Sequence, residues 1–176
     1  MTLDHLWAGW RAAYVASVPG GEPDGDKRER GTEDQGCVFC RILADPSPDA
    51  DRGVIASTDL TVALLNAYPY ASGHILVMPV RHVQELQDLT DEESADLWSQ
   101  VTAAAAAIQR AYHPDGMNLG ANFGRAAGAG IPAHLHLHVV PRWAGDTNFM
   151  TTVASLRVLP EPLPRSWEKL RAAWDS

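Results

Sequence analysis

Three histidines stand at alternating positions in the stretch HLHLHVVPRW, at 134–143. Side chains alternate between the two faces of a strand, so His134, His136 and His138 are expected to point the same way. The apolar residues between them would then face the core. A strip of imidazoles is costly to bury without partners, so the row predicts a site that does chemistry.

Three interpretations of this row are open. The histidines could be hydrogen-bonded structural residues. They could form a metal site of the cupin type, but that needs a carboxylate at suitable spacing, and no acidic residue follows the row before Asp146. In the third interpretation the central imidazole is a nucleophile, and its other nitrogen is held by a carbonyl group or a neighbour.

The stretch NFGRAAGAGIPA, at 122–133, favours the third interpretation. Glycines allow a turn whose backbone N–H groups converge on one point and hold a phosphate. Glycine-rich turns are also common in hairpins, so the evidence lies in the position of this turn directly before the histidines. Together they predict phosphoryl or nucleotidyl transfer through a phosphohistidine-type intermediate.

The elements that must position the row are typical of an α+β domain with an antiparallel sheet. Alternating or continuous apolar runs predict five strands, at 53–57, 60–66, 74–80, 117–124 and 134–141. Thr90 and Glu93 form a capping box that opens a helix over 91–112. The whole chain divides into an N-terminal helical extension (1–18), a flexible linker (19–36), a domain (37–152) and a C-terminal tail (153–176) that packs on the domain or a partner.

Charge and hydropathy exclude several classes of protein. The net charge of −8 disfavours broad adhesion to nucleic acid or to anionic membranes, although backbone dipoles can still hold a small anionic substrate. No apolar run has the length of a membrane span, and the first residues lack the features of a signal peptide. We therefore expect a cytoplasmic protein without a structural disulfide.

The only two cysteines, Cys37 and Cys40, have Cys-x-x-Cys spacing. They could be a redox dithiol, but they do not lie between a strand and a helix start as a thioredoxin motif does. They could also be two unrelated thiols. The remaining interpretation is half of a zinc site, which needs two more ligands from elsewhere in the chain.

Several stretches resemble the histidine triad (HIT) family. The segment His134-Leu-His-Leu-His138-Val-Val is similar to its signature, and LLNAYPYASGHILVMPVRH (64–82) resembles its strand-loop-strand. PRWAGDTNFM (141–150) and LWAGWRAAY (6–14) resemble a bacterial branch of diadenosine-polyphosphate phosphorylases and hydrolases. The resemblance implies a HIT-like five-stranded antiparallel sheet with two main helices and an N-terminal helix.

The resemblance also implies roles for individual residues. His136 would attack the α-phosphate and form a nucleotidyl-histidine, while His138 and His74 contact phosphate or position the nucleophile. The implied substrate-binding residues are Asn66 for the ribose, Leu64 for the base, Asn122 and the backbone at Gly128, Gly130 and Ile131 for phosphate, and Trp143 for the second nucleotide. Many members have Gln and then Ser or Thr where this chain has Gly130-Ile131, so a hydroxyl that could assist the leaving group is missing.

In zinc-bearing relatives the metal ligands look like Cys37, Cys40, His82 and His134. The resemblance therefore implies one structural zinc per subunit, with all four positions filled by protein. It also implies a homodimer in which two sheets join edge-on, with the helix at 91–112 at the contact.

We expect an enzyme that cleaves dinucleoside polyphosphates such as diadenosine tetraphosphate, with phosphorolysis favoured over hydrolysis. Other functions fit the same residues: a nucleotide-binding or sensory module with little catalysis, a nucleoside phosphoramidate hydrolase, or a metal-dependent oxygenase. The sequence does not choose the acceptor, because water and orthophosphate would enter the same site.

Overall fold

A computed structural model of the chain describes residues 36–146 and 161–174. Its strands are β1 (Val54–Ser57), β2 (Thr61–Leu65), β3 (Ile75–Pro79), β4 (Gly116–Ala121) and β5 (Leu137–Arg142). Its α-helices are α1 (Val38–Ala44), α2 (Asp49–Arg52), α3 (Asp91–Tyr112) and α4 (Leu163–Trp174), with 3-10 turns at Leu86–Asp88 and Arg125–Ala127. The strands form one antiparallel sheet in the order β1-β2-β3-β5-β4, so the predicted fold class is confirmed. The predicted N-terminal helix and nearly all of the linker lie outside the described residues.

The central strands β2 and β3 are buried on both faces, which explains their continuous apolar sequence. Alternate residues belong to two clusters. Ala63, Leu65, Ile75 and Val77 pack in the cluster that contains the buried face of α3. Val62, Leu64, Leu76 and Met78 pack with Cys37 and Phe39 at α1.

Helix α3 begins where its capping residues predict. The Glu93 backbone N–H donates to Thr90 Oγ1 at 3.2 Å, and the Thr90 N–H donates to Glu93 Oε2 at 2.9 Å. The helix ends at Tyr112, and the next residue, His113, caps it with a left-handed φ of 46°. Of the helices that the structure describes, none is both long and apolar enough to span a bilayer, the 22-residue α3 included.

The described part of the predicted tail, α4, packs on its own domain. Leu170 is fully buried in the same cluster as α3. The indole N–H of Trp167 donates to the Val54 carbonyl at 2.7 Å, and Arg110 donates to the Ala173 carbonyl at 2.9 Å. The apolar residues at helical spacing in the tail therefore complete the core of this subunit.

Strand β5 begins at Leu137, so the prediction that the strand starts at 134 is wrong. The reason is that the Leu135 N–H donates to the Val83 carbonyl at 2.7 Å instead of to a sheet neighbour. The alternation of faces still holds, because Leu135, Leu137 and Val139 all lie in the α3 cluster. Similarly, β4 ends at Ala121, and Gly124 with φ 73° turns the chain away.

Candidate active site and metal site

The ring of His136 is buried, and its hydrogen bond fixes which nitrogen carries the proton. Nδ1 lies 2.8 Å from the backbone carbonyl oxygen of His134. A carbonyl only accepts, so Nδ1 is the protonated nitrogen and Nε2 keeps its lone pair. Burial lowers the pKa of His136, and the hydrogen bond to the carbonyl offsets part of this effect. At neutral pH the residue is therefore a neutral imidazole, and the lone pair on its Nε2 can act as a nucleophile.

A second pair of histidines lies beside it. His74 is fully buried, and its Nδ1 accepts the backbone N–H of Tyr70 at 3.1 Å and faces the amide nitrogen of Asn66 at 3.3 Å. Its proton is therefore on Nε2, which donates to Nδ1 of His138 at 2.9 Å. This donation in turn places the proton of His138 on its own Nε2.

His138 Nε2 is buried and has no hydrogen-bond partner among the described residues. Orphaned buried donors are rare in proteins, and one in a histidine cluster indicates a missing partner such as a ligand. Burial and, to a smaller extent, the neighbouring His136 together lower the pKa of His138 to about 4. The ring centroids of His136 and His138 are 5.0 Å apart, so the ring that carries this N–H donor lies next to the ring of His136.

The loop between β4 and β5 starts and ends at this cluster. Ala121 pairs with Leu137, so Asn122 leaves the sheet at the same end as His136. Gly124 and Gly128 have positive φ values of 73° and 88°, which favour glycine because it lacks a Cβ.

The predicted phosphate donors differ in what they contact in this loop. The N–H of Gly128 donates to the Arg125 carbonyl at 2.9 Å, so that amide is already engaged inside the turn. Gly130 is exposed, and Ile131 packs against the α1 cluster.

The two remaining predicted substrate contacts, Leu64 and Trp143, lie in different places relative to the histidines. Leu64 is 3% exposed and packs in the α1 cluster on the histidine side of the sheet. Trp143 follows the far end of β5, whose six residues extend about 20 Å. There it packs edge-on against Tyr112, with ring centroids 6.3 Å apart. Within one subunit the structure therefore does not bring Trp143 to His136.

The structure brings the two cysteines and two of the histidines together. The ligand atoms of Cys37, Cys40, His82 and His134 all lie within 4.8 Å of one another. Nδ1 of His134 is 3.4 Å from the sulfur of Cys37 and 3.5 Å from that of Cys40, and Nδ1 of His82 is 3.2 Å from the sulfur of Cys40. Tetrahedral zinc with its usual bond lengths separates sulfur and nitrogen ligands by about 3.5 Å. The four residues therefore fit zinc.

The orientation of His134 supports a metal ligand at Nδ1. Its Nε2 lies 2.9 Å from the Pro79 carbonyl oxygen, which requires the proton on Nε2 and leaves the Nδ1 lone pair facing the thiols. Helix α1 supplies both sulfurs, since Cys37 is its N-cap and Cys40 lies in its first turn.

Sequence reasoning missed three neighbours of these sites. The ring of Tyr70 stacks on that of His138 at 5.8 Å and 13°. Phe39, between the cysteines, contacts the rings of His134 and His136 at 5.6 and 5.1 Å. No pattern in the sequence indicates the contact with the Pro79 carbonyl. Phe39, in contrast, lies within the Cys-x-x-Cys motif, and Tyr70 lies within the segment at 64–82.

Comparisons with known proteins find similar sequences over most of the chain. A family model described as HIT domain matches residues 47–145. AP-4-A phosphorylase from Mycobacterium tuberculosis H37Rv is 38% identical over 174 residues, covering 98% of this chain and 85% of that protein. Bis(5'-adenosyl)-triphosphatase from Dictyostelium discoideum is 32% identical over 117 residues, covering 66% and 77%.

Solved structures show the same fold. A zinc-bound histidine triad family protein from Mycobacterium smegmatis is 33% identical with a TM-score of 0.64, covering 80% of this chain and 94% of that one. A Hit-like protein involved in cell-cycle regulation from Bartonella henselae is 25% identical with a TM-score of 0.63, covering 80% and 98%.

Proposed function

Since the chain belongs to the HIT domain family, as an enzyme of the branch that AP-4-A phosphorylase represents, we propose that it cleaves dinucleoside polyphosphates at the α-phosphate, with phosphorolysis favoured. The observation that carries the proposal is the Nε2 lone pair on His136 beside an N–H on His138 that has no partner in the described part of the chain. A nucleophile and a donor for phosphate oxygen are what this reaction needs.

In the first step, Nε2 of His136 attacks the α-phosphorus, and the bond from that phosphorus to the bridging oxygen breaks. The product is a nucleotidyl-histidine, and the leaving polyphosphate keeps the electron pair as an oxyanion. The His134 carbonyl, which accepts the Nδ1 proton at 2.8 Å, stabilises the positive charge that the ring acquires. The N–H of His138 is positioned to stabilise charge on a non-bridging oxygen.

In the second step, an oxygen of orthophosphate attacks the nucleotidyl phosphorus, and the P–N bond breaks. Diadenosine tetraphosphate and phosphate would thus give ATP and ADP. A polyphosphate leaves readily without protonation, whereas the amine of a phosphoramidate must gain a proton. The absence of a hydroxyl side chain at Gly130-Ile131 therefore favours polyphosphate substrates over phosphoramidates.

The substrate contacts in this proposal use the side of the sheet that carries the histidines. Asn66 lies beside His74 at the mouth of the β2–β3 loop, where its amide can also meet a ribose. The apolar residues around Leu64 would wall the base. Asn122 and the Gly130-Ile131 backbone would hold phosphate, and Trp143 would contact only the second nucleotide.

The experiment is incubation with diadenosine tetraphosphate, with and without orthophosphate. We expect ADP and ATP to form only when phosphate is added. Before phosphate is added, a nucleotidyl-protein should be detected in samples quenched without acid, because the P–N bond is acid-labile. His136→Ala should lose turnover by at least about 10³-fold while nucleotide binding persists. AMP plus ATP without phosphate would show an asymmetric hydrolase instead. Binding without any turnover would show a nucleotide-binding module and would contradict the proposal.

We further propose that the metal is zinc and that its role is structural. The four ligand positions are all protein atoms, which is typical of structural sites. Bound there, zinc would link α1 to the segment just before β5. His136 would then lie two residues after His134, a residue that the metal holds in place.

We also propose a cytoplasmic homodimer joined through β4. This strand is at one edge of the sheet, and Leu119 on it is half exposed. Trp98 of α3 is exposed to a similar extent. An exposed apolar strand edge is a surface on which a second copy can pair. Analytical ultracentrifugation at micromolar concentration tests the dimer, and a monomer would reject it.

A further inference from the structure

The substrates proposed for the histidine site carry a negative charge on each phosphate. Among the described residues, the rings packed against His136 and His138 are those of each other and of His74, Phe39 and Tyr70, with no arginine or lysine among these contacts. A cation for the phosphates beyond the attacked one would therefore come from outside the histidine cluster.

Most cations that the structure describes are already engaged. Those that pair with a carboxylate are Arg52, Arg81, Arg142, Arg165 and Lys169. The guanidinium of Arg110 donates to the Ala173 carbonyl. Within residues 36–146 and 161–174, no ion pair involves Arg41 or Arg125, and both are exposed.

Arg125 lies in the loop that begins and ends at the histidine cluster. It is three residues beyond Asn122, which leaves the sheet opposite His136. Its backbone is fixed, because its carbonyl accepts the Gly128 N–H at 2.9 Å and the Gly124 carbonyl accepts the Ala127 N–H at 3.2 Å. Arg125 is exposed, so its guanidinium is accessible to a ligand bound at this loop.

Arg41 lies on another face. It follows Phe39 by two residues on α1, and two helical residues turn by about 200°. Because Phe39 faces the histidines, Arg41 points away from them. It is therefore a charge-matched control for Arg125.

We infer that Arg125 binds the phosphates of the leaving polyphosphate and so selects dinucleoside polyphosphates over substrates with a short leaving group. This inference rests on the proposed function. Guanidinium forms strong, charge-assisted hydrogen bonds to phosphate oxygens, and these would hold the chain of phosphates in line with the attacking nitrogen. The residue would act on the part of the substrate that the histidines do not contact.

The test compares the full-length wild type with Arg125→Ala, Arg125→Lys and Arg41→Ala on diadenosine tetraphosphate and on adenosine phosphoramidate. We expect Arg125→Ala to lower kcat/KM for the tetraphosphate by about 10-fold or more and to leave the phosphoramidate within about 2-fold. Arg125→Lys should be intermediate, and Arg41→Ala should change neither. In the His136→Ala background, Arg125→Ala should weaken binding of diadenosine tetraphosphate but not of AMP.

Two results would overturn the inference alone. In the first, Arg125→Ala cleaves the tetraphosphate with the same kcat/KM as an active wild type. In the second, Arg125→Ala loses kcat/KM equally on both substrates and also binds AMP more weakly. A wild type that leaves the tetraphosphate intact would overturn the proposed function, and this inference with it. Equal melting temperatures among the four proteins show that they are all folded.

Discussion

Nε2 of His74 lies 2.9 Å from Nδ1 of His138, and this contact leaves the other ring nitrogen of His138, Nε2, as a hydrogen-bond donor. The Tyr70 backbone N–H fixes the tautomer of His74, and His74 in turn fixes that of His138. The proton on His138 Nε2 is thus set by a backbone amide two groups away. No charged residue is needed for this arrangement.

Replacement of His138 tests that donor directly. The amide nitrogen of glutamine reaches the position of the imidazole Nε2, so His138→Gln should keep the donor and His138→Ala should lose it. We expect kcat to fall by about 10²- to 10³-fold in the alanine variant and by clearly less in the glutamine variant. Steady-state kinetics with diadenosine tetraphosphate measure this. Equal losses in two folded variants would contradict the donor role.

Metal content tests the cysteine–histidine cluster. Protein purified without added zinc should contain one zinc per chain, and the double variant Cys37→Ser/Cys40→Ser should contain almost none and melt at a lower temperature, because α1 is no longer linked to His134. His113→Asn is the control, since His113 caps α3 outside the cluster and asparagine tolerates its left-handed backbone. Zinc that persists in the serine variant would refute the assignment.

Gly73 precedes His74 in a backbone conformation that requires glycine. Its φ is 81°, and a Cβ added there would lie 2.6 Å from Cε2 of Tyr112. Gly73→Ala should therefore lower the free energy of unfolding by about 2 kcal/mol or more through backbone strain and the clash with the ring. Urea denaturation measures this cost.

A matched substitution separates that effect from a general intolerance of alanine. Gly120→Ala places a Cβ on β4, where nothing lies within 4 Å and φ is not positive. It should change the free energy of unfolding by less than about 1 kcal/mol. The same cost in both variants would contradict the role of the Tyr112 contact.

The buried carboxylate of Glu93 predicts a pH dependence of stability. The hydrogen bonds from Arg81 lower the pKa of Glu93 to about 2, and burial opposes this shift. In the unfolded state this carboxylate binds its proton near the ordinary glutamate pKa of 4.5, so its contribution to stability is present above pH 4.5 and is lost as pH falls toward 2.

Glu93→Gln isolates this contribution, because glutamine keeps the capping box but not the charge. We expect the variant to be less stable than the wild type at pH 7, and the two unfolding free energies to converge as pH falls from 4.5 toward 2. Denaturant unfolding across this range measures the difference. A gap that stays constant with pH would show that the ion pair is not its source.

The local patterns of the sequence predicted most of the fold. The capping box at Thr90 marks the start of α3, and the alternation around His136 assigns histidines and leucines to opposite faces. The predicted start of β5 was wrong, because the residue that captures the Leu135 N–H, Val83, belongs to a loop that has no strand pattern.

The sequence by itself determined which face each residue of the histidine row takes, since a strand repeats every two residues and such a period is visible in one segment. It also predicts which of these residues carry the chemistry. The tertiary structure decided which ring nitrogen holds the proton in His74, His134, His136 and His138. His74 and His138 are 64 residues apart, and Cys37 and His134 are 97 apart. Those contacts depend on the register that sets Leu76 opposite His138 and on the packing of α1 over the sheet. Hydrogen-bond partners at such separations follow from three-dimensional packing, which no local period encodes.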